Sequence, residues 1–171
     1  MPNTSKDPYR SRAVWSPDRP QTLVVCCSDG RWHAPIVEFV DHEVSDRADL
    51  YAVPGGPASF DPWNSSFEEA RVLHRAFHLF EEHHDLRSVW LIQHQGCAYY
   101  RVKYPGQAEA QIVERQLADL QRAAQCIRAR NAKFDVRAIM VTLAGTQALF
   151  TTIDVESDGA KDTPFISTQL I

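Results

Sequence analysis

Short apolar runs alternate along this chain with longer segments in which apolar residues recur every three or four positions. The short runs are rich in β-branched and aromatic residues and are bounded by glycine, proline or charged residues, which is typical of buried strands. They predict five strands, at residues 22–27, 50–53, 88–93, 136–143 and 148–155.

The segments between these runs carry the signals of helices. A short helix is predicted over residues 35–44. The next helix is predicted to begin at Ser66, because Ser66 and Glu69 stand in capping-box spacing, in which each side chain accepts an N–H of the first turn. A long amphipathic helix is predicted over residues 107–130. Asn131 follows it and favours the left-handed conformation that ends many helices.

Strands that alternate with helices favour a mostly parallel sheet with helices on its faces. We therefore predict a single-domain α/β fold, with a mostly parallel central sheet of four to five strands, in residues 21–171. Residues 1–20 are polar, contain four prolines and are predicted to be an N-terminal arm. Residues 54–57, Pro-Gly-Gly-Pro, are not expected to form regular structure, and residues 94–105 are predicted to be a loop.

Composition and charge exclude several classes of protein. With 44% hydrophobic and 23% charged residues, the 171-residue chain has the balance of a folded domain, and no apolar run is long enough to span a membrane. Its net charge of −4 argues against a general nucleic-acid binder. Residues 1–20 lack the apolar stretch of a secretory signal, so we expect a cytoplasmic protein whose four cysteines do not form a disulfide scaffold.

The loops that follow the first and third predicted strands contain the residues of a metal site. Cys27 ends the first strand, and His94 and Cys97 follow the third. Because ligands of such sheets bind at the carboxyl ends of the strands, we expect these side chains to converge there. Two thiolates and one imidazole are a zinc-binding set with a fourth position open, as in catalytic zinc sites. The sequence therefore predicts one Zn²⁺ per chain, bound by Cys27, His94 and Cys97.

With these motifs the sequence resembles the β-class carbonic anhydrases. That family carries C-x-D-x-R after its first strand and H-x-x-C after its third. Cys27, Asp29 and Arg31 match the first motif, and the second is matched by His94 and Cys97. The resemblance implies reversible hydration of carbon dioxide to bicarbonate by a zinc-bound hydroxide. It also implies a homodimer, or an oligomer built from dimers, with the active site near the subunit interface.

Asp29 and Arg31 are the predicted catalytic residues. Zinc with two thiolates is formally neutral and acidifies its water less than a three-imidazole site does, so an acceptor beside the metal matters for holding hydroxide in place. Asp29 can accept that hydrogen bond, and Arg31 can keep Asp29 ionised through a charge-assisted pair. In some family members the same aspartate binds zinc and closes the site, so Asp29 is an orienting group, an inhibitory ligand or both.

The sequence departs from the family pattern in the loops after the second and third strands. The family usually has R-N-A-G-N where this chain has Pro-Gly-Gly-Pro-Ala at residues 54–58, and two glycines where it has Ala98 and Tyr99. Pocket lining by the backbone N–H groups of residues 54–57 and a plain tight turn are equally expected. These departures keep two alternatives open: a related zinc hydrolase acting on carbon disulfide or carbonyl sulfide, and a non-catalytic zinc-binding or thiol-based regulatory protein.

Five other residues have the chemistry of functional groups. Strand alternation directs Cys26 away from the metal-binding face and into the core, and Cys126 is also predicted to be structural. His74 and His78 stand one helical turn apart, the spacing of a metal-binding pair, but no third ligand supports them, and we predict a solvated or interface helix face. His33 is a candidate for proton transfer, because an imidazole titrates near neutrality.

Overall fold

The computed structural model describes residues 9–45, 47–61 and 67–155. Its strands are β1 (Thr22–Cys27), β2 (Ala48–Val53), β3 (Ser88–His94), β4 (Asp135–Ala144) and β5 (Gln147–Ile153). Its helices are α1 (His33–Glu43), α2 (Phe67–His83), α3 (Ala98–Lys103) and α4 (Glu109–Arg130), with a short 3-10 helix at Gly56–Phe60. All five predicted strands are present, and their ends lie close to the predicted ones.

The strands form one five-stranded sheet in the order β2-β1-β3-β4-β5. The first four strands are parallel, and β5 returns antiparallel to β4. β1 lies between β2 and β3, so that Val25 pairs with Tyr51 on one side and with Leu91 on the other. This topology confirms the predicted α/β fold with a mostly parallel sheet, and it places the carboxyl ends of β1 and β3 side by side.

Helices cover the two faces of the sheet unequally. On one face, α2 and α4 pack against alternate residues of the central strands, including Leu23 and Val25. On the other face, α1 packs against Val24, Cys26 and Trp90. The division along β1 follows from strand geometry, in which successive side chains point to opposite faces. The central strands are therefore buried on both sides and hold their carboxyl ends in fixed positions.

The structure corrects three local predictions. The segment 94–105, predicted to be a loop, contains α3, which is too short to show apolar periodicity. The Pro-Gly-Gly-Pro segment leads into a 3-10 helix at Gly56–Phe60 instead of remaining irregular. Asn131 ends α4 with an extended φ of −152° rather than a left-handed one, because its Oδ1 accepts the N–H of Lys133 in a tight turn. The predicted cap residue Ser66 lies outside the described residues.

Residues 9–20 form no helix or strand, and the side chains of Tyr9, Val14 and Trp15 are more than four-fifths exposed. Arg47 donates hydrogen bonds to two backbone carbonyls of this segment, each at 3.4 Å. The later part of this segment is thus attached to the residue that precedes β2, whereas its earlier part is exposed. None of the helices in the described part of the chain is both long and apolar enough to cross a bilayer.

Candidate metal centre

Three buried side chains converge where the carboxyl ends of β1 and β3 meet. Cys27 is the last residue of β1, His94 is the last residue of β3, and Cys97 lies just before α3. Their ligand atoms all lie within 4.8 Å of one another, and the two Sγ atoms are 3.8 Å apart. Within the described ranges, no other group of three or more His, Cys, Asp or Glu side chains is placed to hold a metal ion. The three predicted ligands therefore form a group that could bind a metal.

The imidazole of His94 is oriented for metal binding by the neighbouring backbone. Its Nδ1 lies 2.8 Å from the carbonyl oxygen of Gln95, which can only accept, so Nδ1 carries the proton. Nε2 therefore keeps its lone pair, and this buried atom has no hydrogen-bond partner among the described residues. The ring also packs on Trp32, with centroids 5.0 Å apart. A buried acceptor without a donor is unfavourable, and a cation shared with two thiolates is the group that fits it.

Several contacts favour the thiolate form of Cys27. The largest contribution comes from the hydrogen bond with the Cys97 thiol, and it lowers the pKa of Cys27 well below its ordinary value, although burial opposes the change. The backbone N–H groups of Asp29 and Gly55 lower this pKa further. A thiolate is the form of cysteine that binds metals, so Cys27 is prepared for ligation.

Cys97 loses its thiol proton less readily than Cys27. Its hydrogen bond with Cys27 raises the pKa of Cys97, and burial and the negative charge of Cys27 act in the same direction. The backbone N–H groups of Tyr99 and Tyr100 donate to its sulfur and oppose this effect. A metal ion deprotonates a coordinating thiol outright. Two sulfurs that share one negative charge are therefore a site where a cation is favoured.

The predicted catalytic pair lies beside the ligands and is more exposed than they are. The side chain of Asp29 accepts the Arg31 Nε–H at 2.9 Å and the Arg31 backbone N–H at 3.1 Å. The side-chain hydrogen bond from Arg31 lowers the pKa of Asp29 from 3.8 to about 2. The side chain of Arg31 is 72% exposed and that of Asp29 is 18% exposed. Asp29 is thus an ionised acceptor that is held in place next to Cys27.

The two loops that depart from the family pattern contact each other. Gly55 and Gly56 have φ angles of 75° and 52°, in the left-handed region that favours glycine. A Cβ atom on Gly55 would lie 2.5 Å from Cδ1 of Tyr99, and one on Gly56 would lie 2.8 Å from the carbonyl carbon of Cys26. The segment after β2 therefore fits against β1 and Tyr99 only without side chains. Because Ala58 also packs with Cys27 and Cys97 in one buried cluster, this segment lines the site and is more than a plain turn.

Some residues that support the ligands belong to no motif. Glu109, at the start of α4, accepts the Gly96 N–H at 2.9 Å and pairs with Arg101 at 2.8 Å. Gln116 donates to the carbonyl oxygen of His94 at 2.8 Å. The sequence does contain a signal for Gln116, since it is a polar residue in the apolar stripe of a predicted helix. The role of Glu109 depends on how two loops meet, and it leaves no signal in the sequence.

The histidines of α2 lie outside any metal-holding group in the described residues. His74 packs edge-on against Phe60, with ring centroids 5.6 Å apart, and burial lowers the pKa of His74. His78 is largely exposed and lies 3.3 Å from Glu82 on the same helix. His78 thus lies on an exposed face of α2, whereas His74 is turned toward the core.

The remaining candidate residues have structural surroundings. Cys26 is fully buried in the core under α1, as strand alternation predicts, and burial raises the pKa of Cys26 to about 12. Burial also raises the pKa of Cys126, which is half-buried on α4. The Nε2 atom of His33 is buried without a hydrogen-bond partner among the described residues. Its role in proton transfer stays a prediction.

Comparison with known proteins relates the chain to others by its fold. No family model and no curated protein matches the sequence. Among solved structures, it resembles the β-carbonic anhydrase CafA of the fungal pathogen Aspergillus fumigatus, with a TM-score of 0.51 at 10% identity over 81% of this chain and 77% of that one. The Coccomyxa β-carbonic anhydrase in complex with acetazolamide has a TM-score of 0.47 at 12% identity, over 73% and 68% of the two chains.

A third similar structure is isoform I of the Trichomonas vaginalis β-carbonic anhydrase, with a TM-score of 0.47 at 10% identity over 82% of this chain and 87% of that one. The similarity to CafA shows that this chain has a β-carbonic-anhydrase-like fold. The sequence resemblance, which rests on five residues, predicted that fold.

Proposed function

We propose that this protein is a zinc enzyme that catalyses the reversible hydration of carbon dioxide to bicarbonate. The observation that carries the proposal is the convergence of Cys27, His94 and Cys97 at one edge of the sheet, with the ionised pair of Asp29 and Arg31 beside them. The β-carbonic-anhydrase-like fold supports the same activity. Each chain holds one zinc ion through the three buried side chains.

Zinc suits these ligands because thiolate sulfur and imidazole nitrogen are the donors that it prefers, whereas magnesium and calcium prefer oxygen. When bound, zinc supplies a Lewis acid that lowers the pKa of a water molecule at the remaining position to near neutrality. The protein must then orient that water by hydrogen bonds and leave the substrate a path to it.

Asp29 is the group that holds the reacting water. With a pKa of about 2, its carboxylate has no proton to donate near neutral pH and can only accept a hydrogen bond. A hydrogen bond from the O–H of the reacting water to this carboxylate would fix the orientation of the water, with its oxygen facing the substrate. Arg31 keeps the carboxylate ionised and fixes its orientation, because it donates to both oxygen atoms. The reaction consumes carbon dioxide and water and yields bicarbonate and one proton, which passes to solvent.

A zinc assay paired with stopped-flow hydration of carbon dioxide on the same sample tests this function. We expect one zinc ion per chain and a hydration activity that is lost on chelation and regained when zinc is restored. Cys27→Ser is the matched control, because it removes one ligand while leaving Asp29 and Arg31 in place. A chain that is fully loaded with zinc and hydrates carbon dioxide no faster than buffer contradicts the proposal.

Hydrolysis of carbonyl sulfide or carbon disulfide is the second candidate, and the position of Tyr99 favours it. The ring of Tyr99 packs on Gly55 and against the buried cluster that contains Cys27 and Cys97, and so adds apolar surface beside the ligands. Such a surface suits linear molecules of low polarity. Release of sulfide by the zinc-loaded chain, measured on the same sample, distinguishes this candidate. A zinc-loaded chain with neither activity is the non-catalytic alternative.

We also propose that the chain associates as a homodimer or as an oligomer built from dimers. Two features support this assembly: the exposed apolar side chains of Val14 and Trp15, and the sheet face on which the described residues place no helix but α1. Light scattering should give a mass of two chains or more, and a mass of one chain over a wide concentration range contradicts the proposal. An arm at residues 1–20, a catalytic domain at residues 21–171 and a cytoplasmic location stay predictions.

A further inference from the structure

We infer that four buried polar residues, which include no metal ligand, form one network that positions the three ligands. This inference rests on the metal-binding part of the proposed function. The four residues are Gln93, Tyr100, Gln116 and Asp119, and none of their surface is exposed. Each of them makes at least one hydrogen bond to another buried group, as buried polar side chains usually do, and one atom, Oε1 of Gln116, has no partner among the described residues. Here those bonds connect α4 to the segments that carry His94 and Cys97, and to Gly55, which lies beside the segment that carries Cys27.

Tyr100 is the centre of the network. Its hydroxyl donates to Oδ2 of Asp119 at 2.6 Å and accepts a hydrogen bond from Nε2 of Gln93 at 2.9 Å. Tyr100 lies in the first turn of α3, three positions after Cys97, and packs with Cys97 in one buried cluster. Arg122 also donates to Asp119, which fixes the carboxylate that anchors the tyrosine. The first turn of α3, and with it the Cys97 ligand, is therefore held by a side chain of α4.

Gln93 extends the network to the Cys27 ligand. Its Nε2 donates to the carbonyl oxygen of Gly55 at 3.0 Å as well as to Tyr100. Gly55 has no side chain of its own to hold it in place, and the adjoining Gly56 packs on Cys27, so that a Cβ atom there would lie 2.9 Å from the backbone nitrogen of Cys27. The amide of Gln93 therefore positions the segment that packs on the first ligand.

Gln116 connects α4 to the third ligand segment. Its Nε2 donates to the carbonyl oxygen of His94 at 2.8 Å and lies 3.5 Å from Oε1 of Gln93. Gln116 and Asp119 are three positions apart, so they lie on the same side of α4. One face of this helix thus positions the peptide of His94, the helix turn beside Cys97 and, through Gln93, the glycine beside Cys27.

Outer partners that orient metal ligands typically change metal affinity by about 10–100-fold when they are removed. Tyr100→Phe removes one hydroxyl and keeps the ring and the backbone N–H. Gln93→Met removes the amide and keeps an unbranched side chain of similar length. We expect each variant of the full chain to bind Co²⁺ with a Kd raised roughly 10–100-fold. Because both act through one network, the double variant should be little weaker than the weaker single variant.

The matched controls separate positioning from ordinary loss of stability. Tyr51→Phe removes a phenol hydroxyl outside the network. Ile127→Val trims a buried residue of α4 that lies in the hydrophobic core, about two helical turns after Asp119. Both controls should keep the Kd for Co²⁺ within about twofold of the wild type, as expected for distant sites. Thermal unfolding of every metal-free variant measures its loss of stability, so that network and control variants with equal losses can be compared for Co²⁺ affinity.

The thiolate-to-cobalt charge-transfer band reports the geometry of the bound ligands, so a loss of stability alone leaves its wavelength unchanged. We expect the band to shift in Tyr100→Phe and Gln93→Met and to stay unchanged in Ile127→Val. Binding of Co²⁺ by both network variants as tightly as by Tyr51→Phe, with an unchanged band, overturns the network.

A third outcome separates the two proposals. If the wild type binds Co²⁺ tightly and both network variants shift the band, but the zinc-loaded wild type has no hydration activity, the network is supported and the proposed function is overturned. A wild type that binds no Co²⁺ overturns both.

Discussion

The two sides of the candidate site differ in their exposure and in the kind of contact that holds them. On the inner side, Cys27, His94 and Cys97 are at most 5% exposed and are surrounded by backbone N–H groups and buried polar side chains. On the outer side, Asp29 and Arg31 form an ion pair whose arginine is 72% exposed. A buried set of ligands retains a metal, and an exposed charged pair meets water and substrate. We therefore expect metal retention and turnover to be separable by mutation.

The largest effect is expected from breaking the inner side at Cys27. Cys27→Ser replaces a thiolate by a neutral hydroxyl, which is a much poorer zinc ligand. We expect zinc affinity to fall by more than the roughly 100-fold that loss of an outer partner costs at most. Cys26→Ala is the matched control. The Cys26 thiol is next to Cys27 in the chain but points into the core under α1, so this variant should keep its zinc. Metal analysis after gel filtration decides, and full zinc occupancy in Cys27→Ser would refute the ligand assignment.

The next largest effect concerns the outer side alone. Asp29→Asn keeps the shape of the side chain and removes its charge, so the variant should retain zinc and lose about 100-fold or more of its carbon dioxide hydration rate. Arg31→Ala should behave similarly, with the double variant little worse than either single one, because the two residues act as a unit. Steady-state rates between about pH 6 and 9, where zinc-bound water titrates, provide the measurement.

Two outcomes of that experiment would change the account of Asp29. Undiminished turnover of fully zinc-loaded Asp29→Asn at every pH would end its role as the acceptor for water. Higher turnover at low pH would instead identify Asp29 as a group that normally blocks the metal. Either result would show that the outer side does something other than orient the reacting water.

A smaller effect is expected at Gly55, where the loop after β2 packs against the loop after β3. Gly55→Ala places a Cβ atom 2.5 Å from the Tyr99 ring at a φ of 75°, and we expect a loss of roughly 2 kcal/mol in the free energy of unfolding. Gly106→Ala is the matched control. Its φ is 78° but its Cβ would meet no atom within 4 Å, so about 1 kcal/mol is expected. Urea unfolding of the metal-free chains measures both, and equal losses would show that the Tyr99 contact has no energetic weight.

The smallest effect is the contribution of Asp29 to acid stability. Because its pKa in the folded chain, about 2, lies below the ordinary value of 3.8, its stabilising effect is fully present above about pH 4 and is lost as the pH falls toward 2. Metal-free Asp29→Asn should therefore be slightly less stable than the wild type at pH 6 and equal to it near pH 2. A difference in urea midpoint that persists unchanged at pH 2 would mean that it does not arise from the charge.

Much of the fold was predictable because strands and long helices are encoded locally. Apolar runs located β1 and β3, and the ligand motifs at their ends required only that parallel neighbours share an edge. The errors fall where local signals are weak. α3 has six residues, too few for periodicity, and Asn131 turns the chain through a hydrogen bond to Lys133 that its residue type alone does not specify.

The less predictable part of the site depends on contacts between distant segments. Gly55 and Tyr99 meet because β2 and β3 flank β1, and no pattern within either loop indicates that meeting. Gln93 and Gln116 were visible as polar residues in apolar surroundings, but their partners were not. A motif of five residues thus predicted the ligands, whereas the residues that position them required the structure.

The order in which the ligands occur along the chain has a consequence for biosynthesis. Cys27 precedes Cys97 by 70 positions, and the ribosome adds about 5–20 residues per second, so the second thiol follows the first after roughly 4–14 s. During that interval β1 can pair with β2, but its other edge waits for β3, and Cys27 lacks both of its companion ligands. If the chain binds zinc as proposed, the ion is therefore acquired late, when the sheet is complete, and not by the growing chain.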